Sequence, residues 1–215
     1  VVIAPTGAGN SHVLVHLGAQ AIKQGKNVVH FTLELGDKIV AKRYDACLTG
    51  INLDDVISEK EAIFEHIKDI DGHLIVKEYP TKSATTVTIK NHLERIRQTQ
   101  MEIDMIIVDY GDLLRSTMES ISEAFNKCFV ADFIISLSRT IKDRNCNVGR
   151  LFVAKNRNGP DAIIYSVFMD TGTVTIKVLE QEDVQKIQQQ EQDKKNKSDM
   201  FTARKVYKMM KETQT

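Results

Sequence analysis

Val1-Val2-Ile3-Ala4-Pro5-Thr6-Gly7-Ala8-Gly9-Asn10-Ser11 opens the chain. A β-branched run leads into a glycine-containing loop. Apolar residues then recur at helical spacing, at Val13, Leu14, Leu17, Ala21 and Ile22. Strand, glycine loop and helix in that order make a phosphate cradle. Loop amides and the helix N-terminus converge on one place, and the helix dipole favours an anion there. The matching template is G-x-x-x-x-G-K-[ST]. Ala4 stands at its first glycine and Gly9 at its second, with Pro5, Thr6, Gly7 and Ala8 between them. Ser11 offers the hydroxyl that would hold Mg²⁺. Asn10 stands where the template has lysine, the residue that lays positive charge over the β- and γ-phosphates. The loop alone leaves two readings open, a phosphate site and an ordinary βα turn.

The chain has 215 residues, enough for one large α/β domain or two small ones, with a substantial core. Lys+Arg and Asp+Glu are equal at 29, so the net charge is zero. That argues against coating of nucleic acid by the whole chain, though not against a local basic groove. The three cysteines, Cys47, Cys128 and Cys146, show no C-x-x-C spacing. This suggests reduced thiols in a cytosolic setting rather than a disulfide frame or a zinc site. No apolar run approaches the roughly 18 residues of a membrane span. No signal peptide is evident, and an opening directly in a core strand suggests that an N-terminal part precedes it.

Spacing predicts a helix over 11–24 that ends at Gly25. His12 and His16 lie four apart on it and read as ordinary helix histidines, since no further ligands sit at metal spacing. Asn27–Leu33 reads as a strand with Glu34 at its exit, where open α/β sheets place their chemistry. Glu34 is either a solvated carboxylate or a general base for water beside a phosphate. Residues 37–48 read as a helix with Asp37 as N-cap, stopped by Gly50. Helical periodicity continues over 54–70, His73–Val76 is strand-like, and Val87–Gln98 is an amphipathic helix. Met105–Tyr110 reads as the cleanest buried strand, delivering Asp109 to its C-terminal edge. A carboxylate there either orients Mg²⁺ through water or caps the next loop. Residues 118–129 allow one crossover helix before a strand at Phe133–Arg139. Arg150–Ala154 and Ala162–Met169 are strands joined through the turn signal Asn158-Gly159-Pro160, and Thr173–Leu179 closes the sheet. Lys155 and Arg157 alternate along that hairpin and so point the same way, as solvated cations or as groups able to reach an outside anion. Residues 180–197, rich in Gln and Lys, read as an exposed helix or linker. Phe201, Val206, Tyr207, Met209 and Met210 suggest a short docking helix.

Several motifs then agree in order and type: APTGAGNS, HFTLEL with Arg43 downstream, KEYPTKSAT, IIVDYGDLL, ADFIISLSR and AKNRNGP. Over residues 1–179 the chain resembles the RecA-like motor domain of the DnaB-type replicative DNA helicase family, especially phage-like members. The resemblance implies an α/β RecA-like P-loop fold, with a mostly parallel twisted sheet flanked by helices and a C-terminal antiparallel hairpin. Residues 180–215 would form a polar helical or partly disordered tail. It further implies ATP and Mg²⁺ as cofactors, with nucleotide bound by residues 4–11 and Arg43. Glu34 would activate water, Ser11 and Asp109 would hold Mg²⁺, and Lys155 and Arg157 would reach the γ-phosphate of a neighbouring subunit. Its implied partners are single-stranded DNA, further copies in a hexameric ring, and a primase or helicase loader, in a bacterial or phage-infected cytoplasm.

Two departures qualify this. Asn10 removes a charge-assisted phosphate contact that contributes about 1.5–3 kcal/mol to binding. A lost transition-state donor costs roughly 10²–10³ in rate, so weak or absent hydrolysis is expected. An engineered ATP trap and a natural degenerate motor both fit. The family also places a helix, a strand ending in a polar sensor, and DNA-binding loops between VDY and ADF. Those do not fit between Gly111 and Ala131. Omission of residues from the sequence is favoured over evolutionary loss, because deleting a central strand would expose its neighbours' edges. The competing reading is a non-hydrolysing RecA-like scaffold that binds nucleotide or a partner. A RecA-type recombinase or clock-type ATPase is disfavoured by AKNRNGP.

Overall fold

The computed structural model describes residues 1–5, 7–109 and 131–180, together with 183 and 186. Its strands are β1 (Val2–Ile3), β2 (Val28–Thr32), β3 (Leu74–Glu78), β4 (Met105–Asp109), β5 (Phe133–Ser138), β6 (Val148–Asn156), β7 (Ile163–Asp170) and β8 (Thr175–Val178). Its helices are α1 (Asn10–Lys23), α2 (Asp37–Thr49), α3 (Lys60–Ile67), α4 (Thr86–Gln98) and α5 (Ile141–Asn145). Three parallel strands form one sheet in the order β3-β2-β4. The other has the order β1-β5-β6-β7-β8, with β1 parallel to β5 and the remaining pairs antiparallel. The architecture is therefore α/β, with parallel strands followed by an antiparallel part.

All five residues of β2 are buried, as expected for a parallel strand covered on both faces. Alternation sends Val28 to the α1/α2 side, packed with Val15, Ala19, Ile22, Val40 and Tyr44. Val29 and Phe31 go to the other side, against Ile89 and Ile96 of α4. Ala8, Val13, Leu137, Val167 and Met169 form a smaller cluster beneath the glycine loop. Gly18 of α1 lets this helix press onto α2: a β-carbon there would collide with the Tyr44 hydroxyl and sit 3.0 Å from Ile107 Cδ1.

The structure corrects several local expectations. Asp37 is the first residue of α2, not its cap; Gly36 holds that position and makes no side-chain cap. The periodicity at 54–70 yields helix only over Lys60–Ile67. Strand β4 is less buried than β2, with Ile106 45% exposed, because β4 is an edge of the three-stranded sheet. Strand β6 ends at Asn156, so Arg157 belongs to the turn and does not alternate with Lys155 along a strand. Thr6, Tyr110, the crossover expected at 118–129 and most of the tail from 181 onward lie outside the described residues, as does the question of omitted residues near Arg115–Ile121.

Candidate functional site

The glycine loop turns on backbone geometry that side chains resist. Gly7 has φ 73° and Gly9 φ 109°, both in the left-handed region. A β-carbon on Gly9 would also stand 3.1 Å from Met169 Cε. The Ala8 amide donates to the Pro5 carbonyl at 3.0 Å, and the Val13 amide to the Gly9 carbonyl at 3.1 Å, which starts α1. The amides preceding Val13 have no intrahelical acceptor and open toward the loop. Asn10 follows directly; its Oδ1 is buried and accepts no hydrogen bond.

Two carboxylates reach the same sheet edge because β2 and β4 are adjacent and in register. Thr32 pairs with Asp109, and the Leu33 amide donates to the Asp109 carbonyl at 2.8 Å. Glu34 is thus two residues past the strand position that faces Asp109, and is exposed. Asp109 is 1% exposed, and neither carboxylate oxygen has a hydrogen-bond partner. Burial raises its pKa, opposed by the Ser11 hydroxyl and then by the Arg43 guanidinium. Ser11 therefore lies close to this carboxylate without making a hydrogen bond of ordinary geometry. Arg43, half-buried on α2, has its own pKa lowered by burial and raised by Asp109 and Glu34. One guanidinium between two acids, with no ion pair to either among the described residues, is a loosely knit cluster. Ser11, Glu34, Arg43 and Asp109 thus share one end of the sheet with the loop.

Lys155 and Arg157 are not brought there within one chain. Strand β5 runs parallel to β1, whose C-terminal end feeds the loop. Arg150 pairs with Ser138 at that end of β5, whereas Lys155 and Asn156 pair with Ile134 and Phe133 at the other. Arg157 forms an ion pair with Asp132, and its amide donates to the Asp132 carbonyl at 2.9 Å.

No family model matches the chain. A curated relative, the DnaB-like replicative helicase of Enterobacteria phage T4, is 30% identical over 125 residues, 54% of this chain. Two solved structures each cover 83% of the chain at a TM-score of 0.65 and 14% identity. One is an ATPase domain solved by itself, of which 84% is covered; the other is a DnaB-like replicative helicase studied with its primase interactions, of which 58% is covered. Sequence and fold together mark a DnaB-type helicase domain. At this identity the solved structures speak for the RecA-like fold, and the phage relative supplies the sequence likeness. The chain spans about a quarter of that relative's length, 26%.

The DnaB-type domain also gathers residues at the loop that the sequence did not single out for it. Arg139 follows β5 directly, with Nε donating to the Val148 carbonyl at 2.9 Å. The rule that selected Glu34 and Asp109, a charged residue at the exit of an apolar strand, would have found it. Arg144 lies on α5, a helix of five residues with no periodic signal. His12 is held at a pKa of about 4 by burial and then by Arg43 and Arg139, which makes it a neutral wall of the cluster. His16 accepts from the Ile176 amide at 3.2 Å. Among the described residues no three His, Cys, Asp or Glu side chains form a metal-sized group, and no helix is long and apolar enough to cross a membrane.

Proposed function

We propose that this DnaB-type domain is an ATP-dependent motor that couples nucleotide hydrolysis to movement on single-stranded DNA, as one subunit of a hexameric ring. Asp109 carries the reading. A buried carboxylate with two unpartnered oxygens is costly unless something fills the gap, and Ser11 stands beside it. A carboxylate and a hydroxyl next to an amide-lined loop suit Mg²⁺, which takes one or two protein oxygens and leaves its other positions to phosphate and water. When bound, Mg²⁺ would neutralise charge developing on the phosphates. Residues 4–11 would hold those phosphates through backbone amides, and Arg43 would steady both acids. Glu34, exposed at the strand exit, would take the proton of the attacking water. Lys155 and Arg157 would act on a neighbour's nucleotide, in keeping with their distance from their own loop. A primase or helicase loader would be a further partner, in a cytoplasmic setting.

Asn10 favours a second reading, a scaffold that binds nucleotide without turnover. Its buried Oδ1 is an acceptor at a place where phosphate needs a donor. DNA-stimulated phosphate release by the chain and by an Asn10→Lys variant separates the two. A motor with a lesion at Asn10 is slow as it stands and recovers roughly 10²–10³ in rate with lysine. If neither releases phosphate while nucleotide still raises the melting temperature, the scaffold reading holds.

A further inference from the structure

The loop lacks its lysine, yet a cation stands over it from another element. A β-carbon built on Gly7 would lie 3.4 Å from Nη1 and 3.6 Å from Nη2 of Arg144. The guanidinium therefore rests against the open face of a loop glycine, three residues before Asn10 in sequence. Its position is set by short-range structure. Thr140 caps α5 in a reciprocal capping box with Asp143, and the Asn147 amide donates to the Arg144 carbonyl at 3.2 Å. Asp143 does not neutralise it, because Oδ2 of that residue accepts from Arg150 at 2.7 Å and from the Thr140 amide at 2.6 Å. Among the described residues Arg144 makes no ion pair. It crowds Arg139, whose pKa it lowers after burial. Two like charges are thus held at the loop mouth with no anion between them, beside a buried Asp109 whose oxygens are also unpartnered.

We infer that Arg144 supplies, from the same chain, the positive charge that Asn10 does not, by donating from its planar guanidinium to the terminal phosphates of a nucleoside triphosphate on the loop. This rests on the nucleotide-site reading above. A guanidinium matches phosphate oxygens with paired donors where an ammonium gives a point charge. It also reaches the loop from outside, so it needs none of the space that a lysine at position 10 would fill. An arginine doing this work should matter for β- and γ-phosphates and not for a nucleoside monophosphate.

Binding of Mg·ATP and of AMP is measured by calorimetry at fixed salt for the chain, Arg144→Gln, Arg144→Lys, Asn10→Lys and the Asn10→Lys/Arg144→Gln double variant. Arg144→Gln weakens Mg·ATP binding roughly ten-fold or more and AMP less than about two-fold. Arg144→Lys recovers part of the loss. With lysine restored at position 10, the effect of Arg144→Gln shrinks to about three-fold or less, since the two cations then serve the same oxygens. Thermal unfolding without nucleotide reports whether Arg144→Gln folds as the parent does; if it does not, the Arg144→Lys comparison and the dependence on position 10 decide. Equal Mg·ATP affinity in the chain and in Arg144→Gln overturns the inference and leaves the nucleotide site standing. An equal loss for ATP and AMP, or a loss undiminished by Asn10→Lys, also overturns it. If neither the chain nor Asn10→Lys binds Mg·ATP, the nucleotide-site reading falls and the role of Arg144 falls with it.

Discussion

The two ends of this molecule treat their charged groups differently. At the loop end Asp109 is buried and unpartnered, Arg43 lies between two acids without an ion pair, and Arg139 and Arg144 crowd one another. At the hairpin end Arg157 and Asp132 pair directly, with side chains 56% and 66% exposed. Surface pairs of that kind contribute little and can form almost anywhere. Unsatisfied charge in a buried place costs stability, so where it persists the arrangement suits a ligand that is not part of the chain.

Hydrolysis gives the sharpest way to break this contrast. Glu34→Gln should lower phosphate release by roughly 10²–10⁴ in an Asn10→Lys background while nucleotide affinity changes little. A variant that hydrolyses as fast as its parent would reduce Glu34 to a solvated carboxylate like those at the hairpin end.

Acid sensitivity comes next, and concerns the core just behind the site. His30 Nδ1 meets the Tyr44 hydroxyl at 3.0 Å, and its Nε2 is buried without a partner. Burial lowers its pKa from 6.5 to about 4. The unfolded chain takes up a proton near pH 6.5 and the folded one declines it until about pH 4. Stability is therefore complete above that window and falls as pH drops through it, by roughly 3 kcal/mol from this residue. Urea midpoints at pH 7 and pH 4.5 should converge more in His30→Gln than in the parent; parallel curves would show that His30 does not titrate as stated.

Asp109→Asn should act in the opposite sense. Removing a buried, unpartnered negative charge stabilises the ligand-free domain by on the order of 1 kcal/mol and abolishes the Mg²⁺ dependence of nucleotide binding. Loss of stability in this variant would mean that the carboxylate has a partner in the resting fold. The smallest effect is expected at the hairpin end, where Asp132→Asn should shift stability by less than about 1 kcal/mol, read from thermal unfolding. A larger loss there would erase the distinction between the two ends.

Much of this was legible in the letters. The phosphate-loop order of strand, glycines and helix needs only neighbours in sequence, because Gly7 and Gly9 adopt positive φ locally and α1 follows at once. Residues Glu34 and Asp109 were readable as strand-exit carboxylates, since an apolar run of strand length followed by an acid places that acid at an edge. Position 157 was harder. Alternation predicts its direction only while the strand lasts, and β6 stops one residue earlier.

The sequence by itself determined the order of elements, the loop chemistry and the absence of its lysine, all properties of contiguous residues. Tertiary structure alone decided which distant groups share an end of the sheet. Strands β2 and β4 are joined by pairing across about 75 residues, and the register that sets Thr32 beside Asp109 is a property of the sheet and not of either strand. The placement of Arg144 against Gly7 depends likewise on β5 pairing with β1 and on a five-residue helix capped by Thr140. Nothing in the spacing of these residues contains that contact, because it arises from how the chain closes on itself.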